Sequence, residues 1–576
     1  MDMNKTEKWQ TLNHNGPVFP PDYDYQKYSI KVAGELIVLS AEAEEMAYSW
    51  AQKHATEYIK DSIFIKNFWR DFKVVLPKEL QKTSFPKDWD FTKIIRDIEY
   101  KKEVKKNRSK EVKIAEKEAT AARKAEYGFA TLNDKQVPLG NYMVEPPGLF
   151  MGRGKHPLRG SWKCRTFPED ITINHSASIE APKPPEGHNW KDVIENKNAL
   201  HIATWKQELT GEYKKILFGA DSIVKQASDQ NKFDKAIILA KKLDYINAEI
   251  DKKLDSKIIH IRKLATVAKL ISQLAIRVGD EKGEDEADTV GASSLRIEHI
   301  TVGDETVEFD FLGKDSIRYH NIVKFIPSMV RNMAWLVKDR EASDALFPGV
   351  TSSDVNKFLG NIVDGVTAKV FRTAYGSKLL AEELASQDVS QLSPAQKLKY
   401  FTDANLTVAK KLNHQTAVSP AYKEQLKNMK IKVKEVKEEL KEKKVVQKDE
   451  LESAKNTRDA RVTSAKNRYK GDRRKDSVRR AKETYGRKVT TWDARINRLK
   501  TRIENLEAKI EIKEKTKGIA TGTSKTNYIS PRIIYSFCKD NNLEIKNMFT
   551  PTLQKKFAWA EDTDRNYYKQ YPNVDY

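Results

Sequence analysis

The chain has 576 residues, 39% of them hydrophobic, enough for roughly three or four domains with real cores, which excludes a disordered protein. A net charge of +22, with 32% charged residues, points to a polyanionic partner, either nucleic acid or an anionic membrane surface. No stretch approaches the ~20 apolar residues of a membrane span, MDMNKTEKWQ lacks the apolar core of a signal peptide, and Cys164 and Cys538 are too distant for a zinc knuckle, so insertion, secretion and disulfide stapling are not expected.

In chain order, residues 1–128 read as a first lobe. The Pro-rich NGPVFPPDYDY must run extended, AEEMAYSWAQKHA is an apolar helix, and the run from Tyr100 to Gly128 is a basic connector helix stopped by its glycine. Residues 129–222, with EPPGLFMGRGKHPLRG and KPPEGHNW, read as a loop-heavy β-containing domain. Residues 223–420 read as a helical domain. Within it, SLRIEHITVGDETVEFDFLGKDSIRYHN alternates apolar and polar residues as a small antiparallel sheet whose second turn carries Gly313, Lys314 and Asp315.

Residues 421–517 differ in kind. Tyr422, Leu426, Met429, Val433, Val436 and Leu440 form one heptad seam, and Trp492, Ile496, Leu499, Ile503, Leu506 and Ile510 form another. Gly471 lies almost midway, which predicts an antiparallel coiled-coil hairpin with arms of ~45 residues, each about 70 Å long. The segment holds about 32 Lys and Arg against about 17 Asp and Glu, so roughly +15 of the +22 resides there. Composition alone favours a solvated rod that dimerises or spaces two domains over one that meets DNA. A compact domain resumes over residues 518–576.

No GxxxxGK[ST] loop, GxGxxG fingerprint or HExxH motif is present, which removes support for ATP-driven work. The acidic run DEKGEDEAD at 280–288 reads as a hydrated loop rather than a Mg²⁺ site, so no metal is expected. What remains is a series of cations ahead of one tyrosine: Arg277 in LAIRVGDE, Lys314 in FLGKDSIRYHN, Arg372 in TAKVFRTAYGS, His414 in KLNHQTAVSP, and then Tyr528 in TSKTNYISPR. Singly, a helix-terminal arginine caps carbonyls, a turn lysine is solvated, and an exposed tyrosine anchors a domain. Tyr528 is expected at a helix end or turn, with Pro531 stopping the local helix.

Together, in that order and in those local sequences, these five residues resemble the active site of the eukaryotic-type DNA topoisomerase I family, the type IB enzymes. FLGKDSIRY, DTVGASSLR, TAKVFRT, NHQ, SKTNY and KKFAWA all fit the family pattern, as do PPGLFMGRGKHP, PEDITIN and GPVF upstream. The resemblance runs from about Trp9 to about Glu561. It implies an α+β multidomain clamp on duplex DNA, mostly helical, with small antiparallel sheets, a long linker hairpin and a small C-terminal helical domain. It also implies a metal-independent and ATP-independent enzyme without cofactor that nicks, swivels and reseals one strand. Tyr528 would be the nucleophile, Arg277, Arg372 and His414 would hold the phosphate, and Lys314 would protonate the leaving oxygen.

Arg153, Lys155, His156, Asp315 and Asn527 would contact DNA near the cut. A monomer, nuclear localisation and camptothecin-type inhibition of the cleaved complex are implied in the same way, with a viral or virion-associated setting as the alternative. Family members begin with a long charged tail carrying import signals, whereas only a few residues precede the matching region here. Met151 stands where the family commonly has a basic residue, the rod is longer than usual, and DTDRNYYKQYPNVDY runs past the usual end without a functional reading. Two other readings stand beside this one. A tyrosine recombinase shares the chemistry but keeps its histidine and tyrosine closer than His414 and Tyr528, and an architectural DNA-binding protein would use the basic surfaces alone.

Overall fold

A computed structural model describes residues 7–279 and 288–574; the acidic run at 280–288 lies outside them except for Asp288. The chain forms two compact units. One comprises Met1–Phe371 and Thr550–Glu561, and the other Arg372–Phe549 and Asp562–Tyr576.

The first unit opens with β1 (Leu12–His14), β2 (Ser29–Val32), β3 (Glu35–Val38), α1 (Ala41–Ala51), α2 (Ser62–Phe72), β4 (Trp89–Asp90), α3 (Thr92–Lys106) and α4 (Lys110–Tyr127). The antiparallel sheet β3-β2-β4 turns Ile30 and Val32 onto an aromatic core of Trp50, Phe64, Phe68 and Phe72. Asp61 starts α2 by accepting the N–H groups of Ile63 and Phe64. Glu44, only 1% exposed, accepts the Tyr23 hydroxyl and the N–H groups of Gln26 and Tyr28, which holds the end of the Pro-rich segment extended beside α1. The basic connector is two helices rather than one. Ser109 accepts the Val112 N–H and so begins α4 as a separate helix, which buries none of its residues and ends at Gly128.

Next come β5 (Phe129–Leu132), β6 (Lys135–Pro138), β7 (Gly148–Leu149), β8 (Trp162–Lys163), β9 (Thr172–Asn174), β10 (Asp192–Ile194), β11 (His201–Lys206) and β12 (Tyr213–Leu217). β1 pairs antiparallel with β5, Leu12 opposite Leu132, so the start of the chain shares a sheet with residues 129–138. A second sheet has the order β10-β9-β11-β12, with β9 and β10 parallel and the other pairs antiparallel. Trp9, Leu12, Leu132, Ile173, Ile202 and Trp205 fill the core beneath them.

The helical part holds α5 (Ile223–Lys241), α6 (Leu243–Leu254), α7 (Ile259–Leu274), β13 (Ile300–Val302), β14 (Thr306–Gly313), β15 (Ile317–Lys324), α8 (Pro327–Val337), α9 (Ser352–Ile362) and α10 (Ala368–Ala385). α7 buries Leu264, Val267, Ala268 and Ile271. β13-β14-β15 is the antiparallel sheet expected from the alternation, and the turn between β14 and β15 begins at Lys314.

The rest of the chain forms α11 (Pro394–Lys411), α12 (Tyr422–Arg468), α13 (Gly471–Lys515), α14 (Thr521–Asn527), α15 (Pro531–Asp540), α16 (Pro551–Lys556) and α17 (Tyr567–Gln570). α12 and α13 are the long antiparallel hairpin. The Tyr422 hydroxyl meets the Lys513 carbonyl at the base, Lys437 pairs with Glu507 midway, and Arg458 stacks on Tyr485 towards the tip. Val433, Val436, Trp492, Ile496 and Ile503 are the buried seam, and Gly471 takes φ +58° at the turn. The base of α13 docks on α11 through Lys399–Glu511 at 2.8 Å and Lys515–Asp403 at 2.9 Å.

The KKFAWA segment belongs to the first unit. Phe557 and Trp559 pack on Phe233 of α5, and Lys556 pairs with Asp229 at 3.3 Å. The tail beyond it has a structural role in the second unit. Ser536 of α15 donates to the Arg565 carbonyl, and the buried Tyr568 donates to Asp540. Among the described residues no helix is long and apolar enough to cross a membrane.

Candidate active site

The second unit gathers Arg372, His414 and Tyr528. Tyr528 caps α14, so its phenol sits at a helix terminus as the sequence implies. The helix ends there before any proline intervenes; Pro531 instead opens α15, where its missing N–H costs nothing. The Tyr528 backbone is fixed from both sides. Its N–H donates to the Ser524 carbonyl at 2.9 Å, and its carbonyl accepts the Ser377 hydroxyl at 3.3 Å. Ser377 also accepts the Ser530 N–H at 2.9 Å, and a Cβ on the preceding Gly376 would lie 2.8 Å from the Tyr528 oxygen. α10 and the tyrosine turn therefore meet backbone to backbone.

Arg372 projects from the same helix one turn earlier and is 5% exposed. Its guanidinium carbon lies 4.8 Å above the centre of the Tyr528 ring, a cation over an aromatic face. One terminal nitrogen donates to the Leu412 carbonyl at 2.9 Å and to Nε2 of His414 at 3.3 Å. His414 is 6% exposed and stacks on Tyr528 with ring centroids 5.2 Å apart. Its backbone is held by the Ala409 carbonyl on one side and the Ala520 N–H on the other. Nδ1 meets the Ser524 hydroxyl at 2.9 Å. Because a guanidinium only donates, Nε2 is the acceptor and Nδ1 carries the proton: the imidazole is neutral in this geometry. Lys525 donates to the Met548 carbonyl at 2.8 Å, and burial pulls its pKa below the ordinary lysine value. Asn527 is exposed and turns its amide back on the Thr523 carbonyl.

In the first unit, Arg277 and Lys314 share one backbone scaffold. α7 ends at Ala275 in the left-handed conformation, and exposed Arg277 lies in the irregular segment that follows rather than at the helix end itself. The Arg277 carbonyl accepts the Ala292 N–H at 2.8 Å, Ser293 closes on the Val278 carbonyl, and the Val290 N–H donates to Leu312 of β14 at 2.8 Å. Gly279 faces Gly291, where a Cβ on either would fall within 2.8 Å of the other's backbone, so both glycines of RVGD and TVGASS serve this close approach. Leu312 leads directly to exposed Lys314. The Asp315 side chain lies outside the described part.

Arg153, Lys155 and His156 lie in the loop between β7 and β8, with Arg153 and Lys155 exposed. The loop is stitched to α2: buried Arg159 pairs with Asp61 at 2.8 Å, and Asn67 donates to the carbonyls of Pro157 and Arg159. His156 packs edge-on against Phe150. A Cβ on Gly154 would collide with the Ser316 hydroxyl, so this loop and the Lys314 turn abut within the unit. Sequence reasoning missed Ser377 and Ser524. The one signal was position: Ser524 stands four residues before Tyr528, on the inner face of the same helix turn.

Among the described residues no group of three or more His, Cys, Asp or Glu side chains is placed to hold a metal ion. The DNA-binding fragment of eukaryotic DNA topoisomerase I matches residues 7–218, the catalytic core of that family matches residues 221–447, and a C-terminal topoisomerase domain matches residues 500–569. The outer part of the hairpin falls between the last two. The chain is 35% identical to DNA topoisomerase 1 of Homo sapiens over 572 residues, spanning 97% of this chain and 72% of that protein. The mouse protein of that name is 35% identical over 97% and 71%, and that of Candidozyma auris 34% identical over 97% and 83%. With both main segments of the family matched in order and nearly the whole chain aligned, this chain belongs to the eukaryotic DNA topoisomerase I family.

Proposed function

We propose that the chain relaxes supercoiled duplex DNA by breaking and rejoining one strand at Tyr528, and that the stack of Arg372, His414 and Tyr528 is the observation that carries this reading. A phenol with a pKa of about 10 is ionised only about one part in a thousand at pH 7, so attack on a phosphodiester depends on cations that hold the charge as it develops. The Tyr528 phenol gives up its proton to solvent water as its oxygen bonds to phosphorus, and the 5′ oxygen departs. The protein is left joined to the 3′ phosphate, with a free 5′ hydroxyl that reverses the step. Arg372 and Arg277 each donate paired N–H bonds to the nonbridging oxygens, His414 adds a third donor, and Lys314 hands its proton to the leaving oxygen. One phosphodiester is exchanged for another, so the bond energy is kept and ATP has no role. Torsion in the DNA drives rotation between the two steps.

In this reading the chain acts as a monomer on double-stranded DNA. Residues 1–128 serve as a cap, 129–222 and 223–420 complete the grip on the duplex, and 518–576 deliver the nucleophile. The positive hairpin of 421–517 exerts drag on the rotating duplex through phosphate contacts that read no sequence. Arg153, Lys155, His156, Asp315 and Asn527 line the DNA at the cut, where a camptothecin-type stabiliser of the cleaved complex would sit. The setting is nuclear. The test is relaxation of supercoiled plasmid in EDTA without nucleotide. The parent chain relaxes the plasmid and, on a denaturing gel, carries a DNA 3′ end; Tyr528→Phe binds the same DNA and does neither. Relaxation by the Phe variant refutes the assignment.

A further inference from the structure

We propose that Ser524 is a positioning residue for strand cleavage, and that its hydroxyl lets His414 change from hydrogen-bond acceptor to donor at Nε2 without a change in net charge. This rests on the function proposed above. Ser524 is fully buried in α14, and its two polar groups face the two partners of the reaction: the hydroxyl meets Nδ1 of His414 at 2.9 Å, while the carbonyl takes the N–H of Tyr528 at 2.9 Å and that of Ile529 at 3.0 Å. One residue thus sets both the ring that would face the phosphate and the backbone that aims the nucleophile.

The chemistry of a hydroxyl matters here. In the structure Arg372 donates to Nε2 of His414, so Nδ1–H donates to Ser524. A phosphate oxygen in the place of that contact needs Nε2 to donate instead. A neutral imidazole can do so only as the other tautomer, with Nδ1 now an acceptor. A serine hydroxyl serves both states, because it accepts from Nδ1–H in the first and rotates to donate to Nδ1 in the second. A backbone carbonyl would hold the ring in the first state, and a carboxylate would hold it as imidazolium. The charged or titratable groups packed against the ring are the Tyr528 phenol, whose ring stacks on it, and Arg372 from α10, which meets it at Nε2.

The experiment measures single-turnover formation of the covalent adduct on a duplex oligonucleotide, alongside equilibrium DNA affinity, for the full chain. Ser524→Ala is expected to slow adduct formation ten- to fiftyfold with DNA affinity unchanged, and Ser524→Thr, which keeps the hydroxyl, to recover most of the rate. In a His414→Ala background, Ser524→Ala is expected to cost less than twofold, because its target is already gone. An equal loss in both backgrounds makes Ser524 a packing residue and overturns the proposal, as does an Ala variant within threefold of the parent. A parent chain that forms no adduct overturns the underlying function instead, so the two failures are distinguishable.

Discussion

Replacing Arg372 by lysine separates charge from geometry. The arginine holds the Leu412 carbonyl and Nε2 of His414 with one nitrogen while its guanidinium carbon sits over the Tyr528 ring at 4.8 Å. A lysine from the same position on α10 supplies the charge but only a single point of donation, so it cannot both hold the carbonyl and sit over the ring. The stack is worth ~0.5–2 kcal/mol and the charge-assisted bond to Leu412 ~1.5–3 kcal/mol. Both exist before the reaction, so their loss acts on position and stability rather than directly on rate. In the proposed mechanism the rate effect comes from a second N–H given to the phosphate, whose removal costs ~2.7–4 kcal/mol, or roughly a hundred- to a thousandfold. Arg372→Lys is therefore expected to form adduct about 10²–10³ times more slowly in single-turnover cleavage with excess enzyme, at nearly parental DNA affinity. Adduct formation within threefold of the parent, or a loss confined to affinity, refutes the geometric role given to the guanidinium.

Ser377→Ala removes the bonds to the Tyr528 carbonyl and the Ser530 N–H, and is expected to cost ~1–2 kcal/mol of positioning, about tenfold in single-turnover cleavage; an unchanged rate refutes it. His14 accepts the Gly16 N–H at Nδ1 and donates from Nε2 to the Asn174 carbonyl, and burial lowers its pKa to about 4. The unfolded chain gains that proton near pH 6.5 and the folded chain only near 4, so the unfolded state binds more protons in between and stability is lost as the pH is lowered through that window, by ~3 kcal/mol in all. The drop in melting temperature between pH 7 and pH 5 should be smaller in His14→Gln than in the parent; equal drops refute it. Trp492→Ala empties the hairpin seam and leaves Glu450 without its indole partner, at ~3–5 kcal/mol, and should raise amide exchange along α12 and α13 while adduct formation is retained. Unchanged exchange refutes that packing role.

Local periodicity and turn chemistry carried the hairpin, its reversal at Gly471, the sheet that presents Lys314 and the position of Tyr528 at a helix end, because each is written within a few neighbouring residues. What stayed hidden depends on partners far away in sequence. β1 pairs with a strand more than a hundred residues later, and KKFAWA finds α5 across most of the chain. Neither pattern contains its partner. The split between α3 and α4 was hidden for a different reason: Asn107 and Ser109 are ordinary polar residues of a basic helix until the serine turns to cap the next one. The five candidate residues, Arg277, Lys314, Arg372, His414 and Tyr528, stood out only as an ordered set. Their serine supports did not, since a small hydroxyl beside a tyrosine has no distinguishing period or charge.

A phosphotyrosyl bond to a turning duplex has to bear load. The Tyr528 peptide is gripped at its N–H by α14 and at its carbonyl by α10, and the residue two positions on is gripped by the same serine. Pull on the phenol is thereby shared between two helices instead of stretching a slack loop. In the proposed reaction the broken end would keep its place while its partner spins, and a free hydroxyl that comes round again would meet a phosphorus that has not moved.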